Sequence, residues 1–210
     1  MDTTLISNLI DVSLCLVALF IAVRSFDVYT RVHYRRLFIL GLSMVLVSLS
    51  AAADFTGHYI KLTTPGTDWF LYIAQAFGFF FLFLSLIRSS NTYLKFIMLL
   101  SVFSVPPLLT ILFLSPFLPG VPQGSTLALL EGIRWIICFA IFFAYFVAFT
   151  SKATHFNRFM TGAFLLISLG NFMSMLQSFS PGIHPEILSN LGNVTDIFGL
   201  LALIIAVSWN

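Results

Sequence analysis

The chain has 210 residues, of which 59% are hydrophobic and only 9% charged, and its formal net charge is +2. Soluble domains carry roughly a quarter charged residues, so a chain this poor in charge and with mean hydropathy +1.02 cannot cover a water-facing surface. Its basic residues are dispersed over short segments, which excludes the concentrated basic face of a nucleic-acid-binding protein.

Stretches of about twenty apolar residues are long enough to cross a bilayer as helices. Seven occur, at 7–24, 36–54, 69–87, 96–115, 127–150, 159–177 and 191–209. They predict an all-α integral membrane protein, a seven-helix bundle forming one transmembrane domain over 1–210 in the cell (cytoplasmic) membrane. The remainder is too short for a soluble domain. The leading MDTTLISN has no Lys or Arg, unlike the basic start of a signal peptide, so the first stretch is expected to remain and span.

Taken in order, stretch 7–24 holds Asp11 and Cys15, and is followed by Arg24, Arg31, His33, Arg35 and Arg36. Stretch 36–54 carries small Ser48 and Ala52 at the four-residue spacing that allows close helix contact, and Asp54 and His58 mark its outer end. Stretch 69–87 contains Gln75 and Phe77-Gly78, with Arg88 and Lys95 after it. Stretch 96–115 has only Ser and Thr as polar side chains, as suits a peripheral helix, and Pro106-Pro107 predicts a kink within it. The segment 115–125, SPFLPGVPQGS, is the one Pro/Gly-rich loop and reads as an irregular outer cap. Stretch 127–150 contains Glu131, Arg134 and Cys138, and is followed by Lys152, His155 and Arg158. Stretch 159–177 has Gly170, Asn171 and Ser174; stretch 191–209 has Asp196 and Phe198-Gly199. Both cysteines fall inside apolar stretches, where a structural disulfide is not expected.

Eight of the ten basic residues follow the first, third and fifth stretches, while Lys61 is the single one in the opposite loops. That bias predicts an outside N-terminus and a cytoplasmic C-terminus. The two halves also echo each other. HYRR from His33 matches HFNR from His155, IAQAFGF from Ile73 matches VTDIFGL from Val194, and Cys15 matches Cys138. The offsets are nearly constant, which predicts a 3+1+3 parallel internal repeat, with the fourth helix as connector.

At about 1.5 Å rise per residue, Asp11, Gln75, Arg134, Asn171 and Asp196 all fall in one slab, roughly 5–8 Å outward of the midplane, with Glu131 one turn above Arg134. An ionised group at that depth costs at least a few kcal/mol and is expected to face the bundle and find partners. Asp11, Gln75, Glu131, Arg134, Asn171 and Asp196 are therefore the candidate ligand-binding residues, with Asp54 and His58 at the outer rim. The same cluster also reads as a purely structural device that fixes helix register.

All four histidines lie at stretch ends or in loops, which disfavours haem held within the bundle, and no metal-ligand set is visible. Nor is a nucleophile–base pair or a phosphate-binding loop, so an enzyme is not expected and no cofactor is implied beyond bound lipid. The leading reading is a multi-pass binding protein for a small or lipidic ligand, a sensor or a subunit of a larger membrane complex, which needs a membrane-protein partner to transmit a signal. The alternatives are a small-solute or proton-coupled carrier built from two three-helix repeats, and a structural subunit packing against other chains or pigments. The apolar inner runs FFFLFLSLI, FAIFFAYFV and LLALIIAV count against a carrier's aqueous path.

Overall fold

The computed structural model describes residues 3–59, 68–118, 124–179 and 185–208, and these are almost wholly helical. Among them are α1 (Thr3–Val32), α2 (Arg35–Tyr59), α3 (Asp68–Ile87), α4 (Asn91–Leu114), α5 (Ser125–Ser151), α6 (His155–Phe179) and α7 (Pro185–Ser208). Each of the seven is long and apolar enough to cross a membrane. The side chains of Asp11, Asp54 and His58 lie outside the described residues.

The helices outrun the apolar stretches where polar residues support one another. The apolar stretch of α1 ends near Arg24, yet the helix continues to Val32. Asp27 accepts from Arg24 at 2.8 Å and from Arg31 at 3.0 Å, an i,i+3 and an i,i+4 pair on one helical face. The helix then stops at His33, whose φ of 53° lies in the left-handed region, while its backbone N–H still donates to Tyr29 O at 2.7 Å. Gly124, with φ of 95°, makes the corresponding sharp entry into α5. Helix α4 runs through Pro106-Pro107 as one element, and Thr110 Oγ1 donates to Pro106 O at 3.0 Å just beyond the pair.

The chain forms two compact units, Leu14–Val121 and Met1–Ser13 with Pro122–Asn210. In the first, α2, α3 and α4 pack together through Leu46, Ala53, Phe70, Ala74 and Leu108, and through Ile39, Phe81 and Ile97. Small residues let backbones approach, and side-chain hydroxyls then bond across the contact. Ser43 Oγ donates to Gly78 O at 2.7 Å, and Ser48 Oγ donates to Cys15 O at 3.1 Å. Outward-facing α4 residues such as Phe103 and Phe113 are 67% and 74% exposed, an apolar surface suited to lipid rather than water.

In the second unit α6 packs against both α5 and α7. Its Met160, Ala163, Phe164 and Ile167 are buried, as are Cys138, Ile141 and Tyr145 of α5 and Leu200, Leu203 and Ala206 of α7. Tyr145 stacks on Phe164 with centroids 5.9 Å apart. Gly199 of α7 lies against α6 so closely that a Cβ there would sit 2.9 Å from Ala163 O.

Candidate functional site

The buried residues of α5 are Ala128, Glu131, Arg134, Cys138, Ile141 and Tyr145. Spacings of three and four put them on one helical face. That face is charged at one end, where Glu131 and Arg134 lie, and apolar from Ile141 onward. The seam between α5 and α6 therefore changes from polar to oily along its length.

Arg134 is permanently charged and demands acceptors. Its Nε donates to Asn171 Oδ1 at 2.7 Å, and its Nη2 donates to the same oxygen. Asn171, only 2% exposed, is fixed from its other end. Its Nδ2 donates to Ile167 O at 2.8 Å and lies 3.8 Å from Cys138 Sγ. Those bonds set the orientation of the amide, so that its oxygen is the atom aimed at the guanidinium. Cys138 is fully buried and one turn along α5 from Arg134. The sequence reading left Cys138 out of the polar layer, although its i+4 spacing from Arg134 places it on the same face.

Asp196 reaches the cluster from α7 and interacts electrostatically with Arg134. The residue is partly exposed, yet its Oδ1 is shielded from solvent and has no hydrogen-bond partner among the described residues. The carboxyl is pressed against the backbone of α6. A Cβ on Gly170 would sit 2.7 Å from Asp196 Cγ and 2.7 Å from Gly192 O. Gly192 returns the contact, since a Cβ on it would lie 3.0 Å from Gly170 O and 3.3 Å from Ser174 Oγ. Gly192 was also missed in the sequence. It precedes Asp196 by one helical turn, the spacing that puts both on the face toward α6.

Glu131, Arg134, Asn171 and Asp196 thus belong to one three-helix unit, and the backbone of Asp11 is grouped with it. Gln75 belongs to the other unit, where its Nε2 donates to Ser50 Oγ at 2.9 Å. Asp54 and His58 side chains lie outside the described residues. Among the described residues there is no group of three or more His, Cys, Asp or Glu side chains placed to hold a metal.

The fold is that of an all-helical chain with seven membrane-capable helices, compatible with a multi-pass membrane protein. Comparison of the chain with protein-family models, curated proteins and solved structures finds no match.

Proposed function

We propose that the protein is a multi-pass membrane binding protein, a sensor or a subunit of a larger membrane complex, whose α5–α7 unit takes a small polar or amine-bearing ligand beside Arg134, Asn171 and Asp196. One observation carries this reading. Asp196 presents a shielded carboxylate oxygen with no hydrogen-bond partner among the described residues, close enough to Arg134 to feel its charge. A buried polar atom left unsatisfied costs about 1–3 kcal/mol, and more when it is charged. Such a cost is tolerated where the atom has work to do on a ligand. Two acids, Glu131 on the same face of α5 and Asp196 on α7, accompany one permanent cation. With all three ionised the cluster carries a net charge of −1, which favours a ligand bearing an N–H donor or a positive charge; with one acid protonated the cluster is neutral and a neutral polar ligand fits as well.

The unit contrasts a polar end with an apolar one, which supports binding over conduction. Beyond Cys138 the buried faces offer Ile141, Leu200, Leu203, Ala206 and Val207. The proposed parallel repeat is supported by the matched cysteines, since Cys15 of α1 meets Ser48 of α2 and Cys138 of α5 meets Asn171 of α6, one residue from the repeat partner of Ser48. In the proposed orientation, with the N-terminus outside, the polar end opens to the outer side.

The test is gentle purification of the full chain, followed by native mass spectrometry of wild type and Asp196→Asn. The expected result is a small molecule that stays with the wild type and is lost from the variant, with the variant still folded. The same set of bound species on both would overturn the reading.

A further inference from the structure

We infer that the end of the Leu14–Val121 unit formed by the α1–α2 and α3–α4 turns is a docking surface for anionic phospholipid headgroups. The inference rests on the membrane reading alone and not on the Arg134 cluster.

Both turns lie at the same end of the unit, because Arg35 Nη1 at the start of α2 donates to Asn91 O at 2.8 Å at the start of α4. That brings together Arg24, Arg31, Arg35, Arg36, Arg88 and Lys95. Among the described residues here the one acid is Asp27, already shared between Arg24 and Arg31. Six cations against one carboxylate leave an excess of five positive charges. Arg31, Arg88 and Lys95 are exposed.

Arg36 supplies a second, independent sign of a missing acceptor. Its Nε is shielded from solvent and has no hydrogen-bond partner among the described residues. Its guanidinium carbon lies 6.0 Å from the centroid of the exposed Tyr34 ring, and an aromatic of this kind is at home at the headgroup level. A phosphodiester offers what the site lacks, two negatively charged oxygens that accept from a guanidinium in a forked pair. A lipid is favoured as its source because Arg31, Arg35, Arg36, Arg88 and Lys95 sit at or within about a turn of the ends of membrane-capable apolar helices.

The equivalent turn in the other unit is closed upon itself. Asn157, which stands in HFNR where Arg35 stands in HYRR, donates through Nδ2 to Lys152 O at 3.0 Å and to Ala148 O at 3.3 Å. Its backbone N–H is taken by Thr154 Oγ1 at 3.2 Å. This turn therefore spends Asn157 on finishing α5 and starting α6, whereas the α1–α2 turn, with Arg24 and Arg31 on Asp27 and Arg35 on Asn91, leaves the Nε of Arg36 without an acceptor among the described residues.

The experiment uses the full chain in vesicles of phosphatidylcholine with and without phosphatidylglycerol, and native mass spectrometry counts the lipids retained after extraction. Phosphatidylglycerol should be retained in preference to phosphatidylcholine. A basic residue near an anionic surface contributes about 1 kcal/mol, so Arg36→Gln and Arg88→Gln should each weaken that retention about five-fold. Lys152→Gln, in the closed turn, should leave it unchanged. Arg36→Lys keeps the charge and should retain most of the preference, which separates charge loss from misfolding. Equal retention of the two lipids, or equal loss in all three Gln variants, would overturn the inference. So would full displacement of phosphatidylglycerol by millimolar inorganic phosphate, since the site would then be one for soluble phosphate.

Discussion

The carboxyl of Asp196 occupies the space that a side chain on Gly170 would need, with Cγ 2.7 Å from the position of the absent Cβ. An acidic residue thereby reaches into a helix contact at a point where two backbones touch. The position of the carboxyl and the absence of a side chain are one structural feature.

Gly170→Ala should therefore be costly. The added methyl meets a carboxyl and the Gly192 carbonyl, and the latter belongs to a backbone that cannot step aside. Overpacking of this kind costs about 1–3 kcal/mol. Gly162 of the same helix is the control, because nothing lies within 4 Å of its would-be Cβ. There alanine should be neutral, or stabilising by up to about 1 kcal/mol through helix propensity. Thermal unfolding of both variants in the same detergent gives the comparison, and equal melting temperatures would contradict the contact.

The two Phe-Gly sites should differ in the same assay. A Cβ on Gly199 would lie 2.6 Å from Ile167 Cγ1 and 2.9 Å from Ala163 O, whereas one on Gly78 would have Ser43 O as its nearest neighbour at 3.2 Å. Gly199→Ala should destabilise by about 1–3 kcal/mol and Gly78→Ala by less. A reversed order of melting temperatures would show that the α6–α7 contact is looser than described.

Asn171 should prove coupled to Arg134. Asn171→Leu removes a side-chain acceptor of a buried cation, and losing a hydrogen bond to a charged group costs about 1.5–3 kcal/mol. In a double-mutant cycle with Arg134→Leu, the pair should cost less than the sum of the singles by about 0.5–3 kcal/mol. Simple additivity of the unfolding free energies would separate the two residues.

The seven long apolar helices were legible in the sequence because hydropathy integrates over some twenty residues, and local errors average out. Their ends were less so: Arg24, Asp27 and Arg31 interrupt the apolar run of α1 but sustain its helix through their ion pairs. Depth along a helix can be read at about 1.5 Å per residue, and it grouped Gln75 with Arg134. Depth does not name the neighbour a side chain meets, so the bond of Gln75 to Ser50 was not legible until α2 and α3 were seen together. The three-and-four spacing of Glu131, Arg134 and Cys138 was readable, while Gly192 was not, because a glycine contact has meaning only once the facing backbone is known.

Topology offers a test of the charge argument. With Cys15 and Cys138 replaced by serine or alanine, single cysteines at Thr3 and Ser208 should be labelled by an impermeant reagent from opposite faces of the membrane, Thr3 from outside. The eight-to-one division of basic residues between the two sets of loops supports that outcome. Labelling of both from one face would contradict an odd number of crossings.

The most direct test of the Arg134 cluster compares Arg134→Ala with Arg158→Ala, whose arginine is exposed at the start of α6. Melting temperature and retention of the species that co-purifies with the wild type are measured together. Removing one member of a buried charged cluster typically costs about 3–5 kcal/mol. Arg134→Ala should lower the melting temperature and lose the bound species, while Arg158→Ala keeps both. Variants indistinguishable in melting and retention would contradict a functional role for Arg134, Asn171 and Asp196.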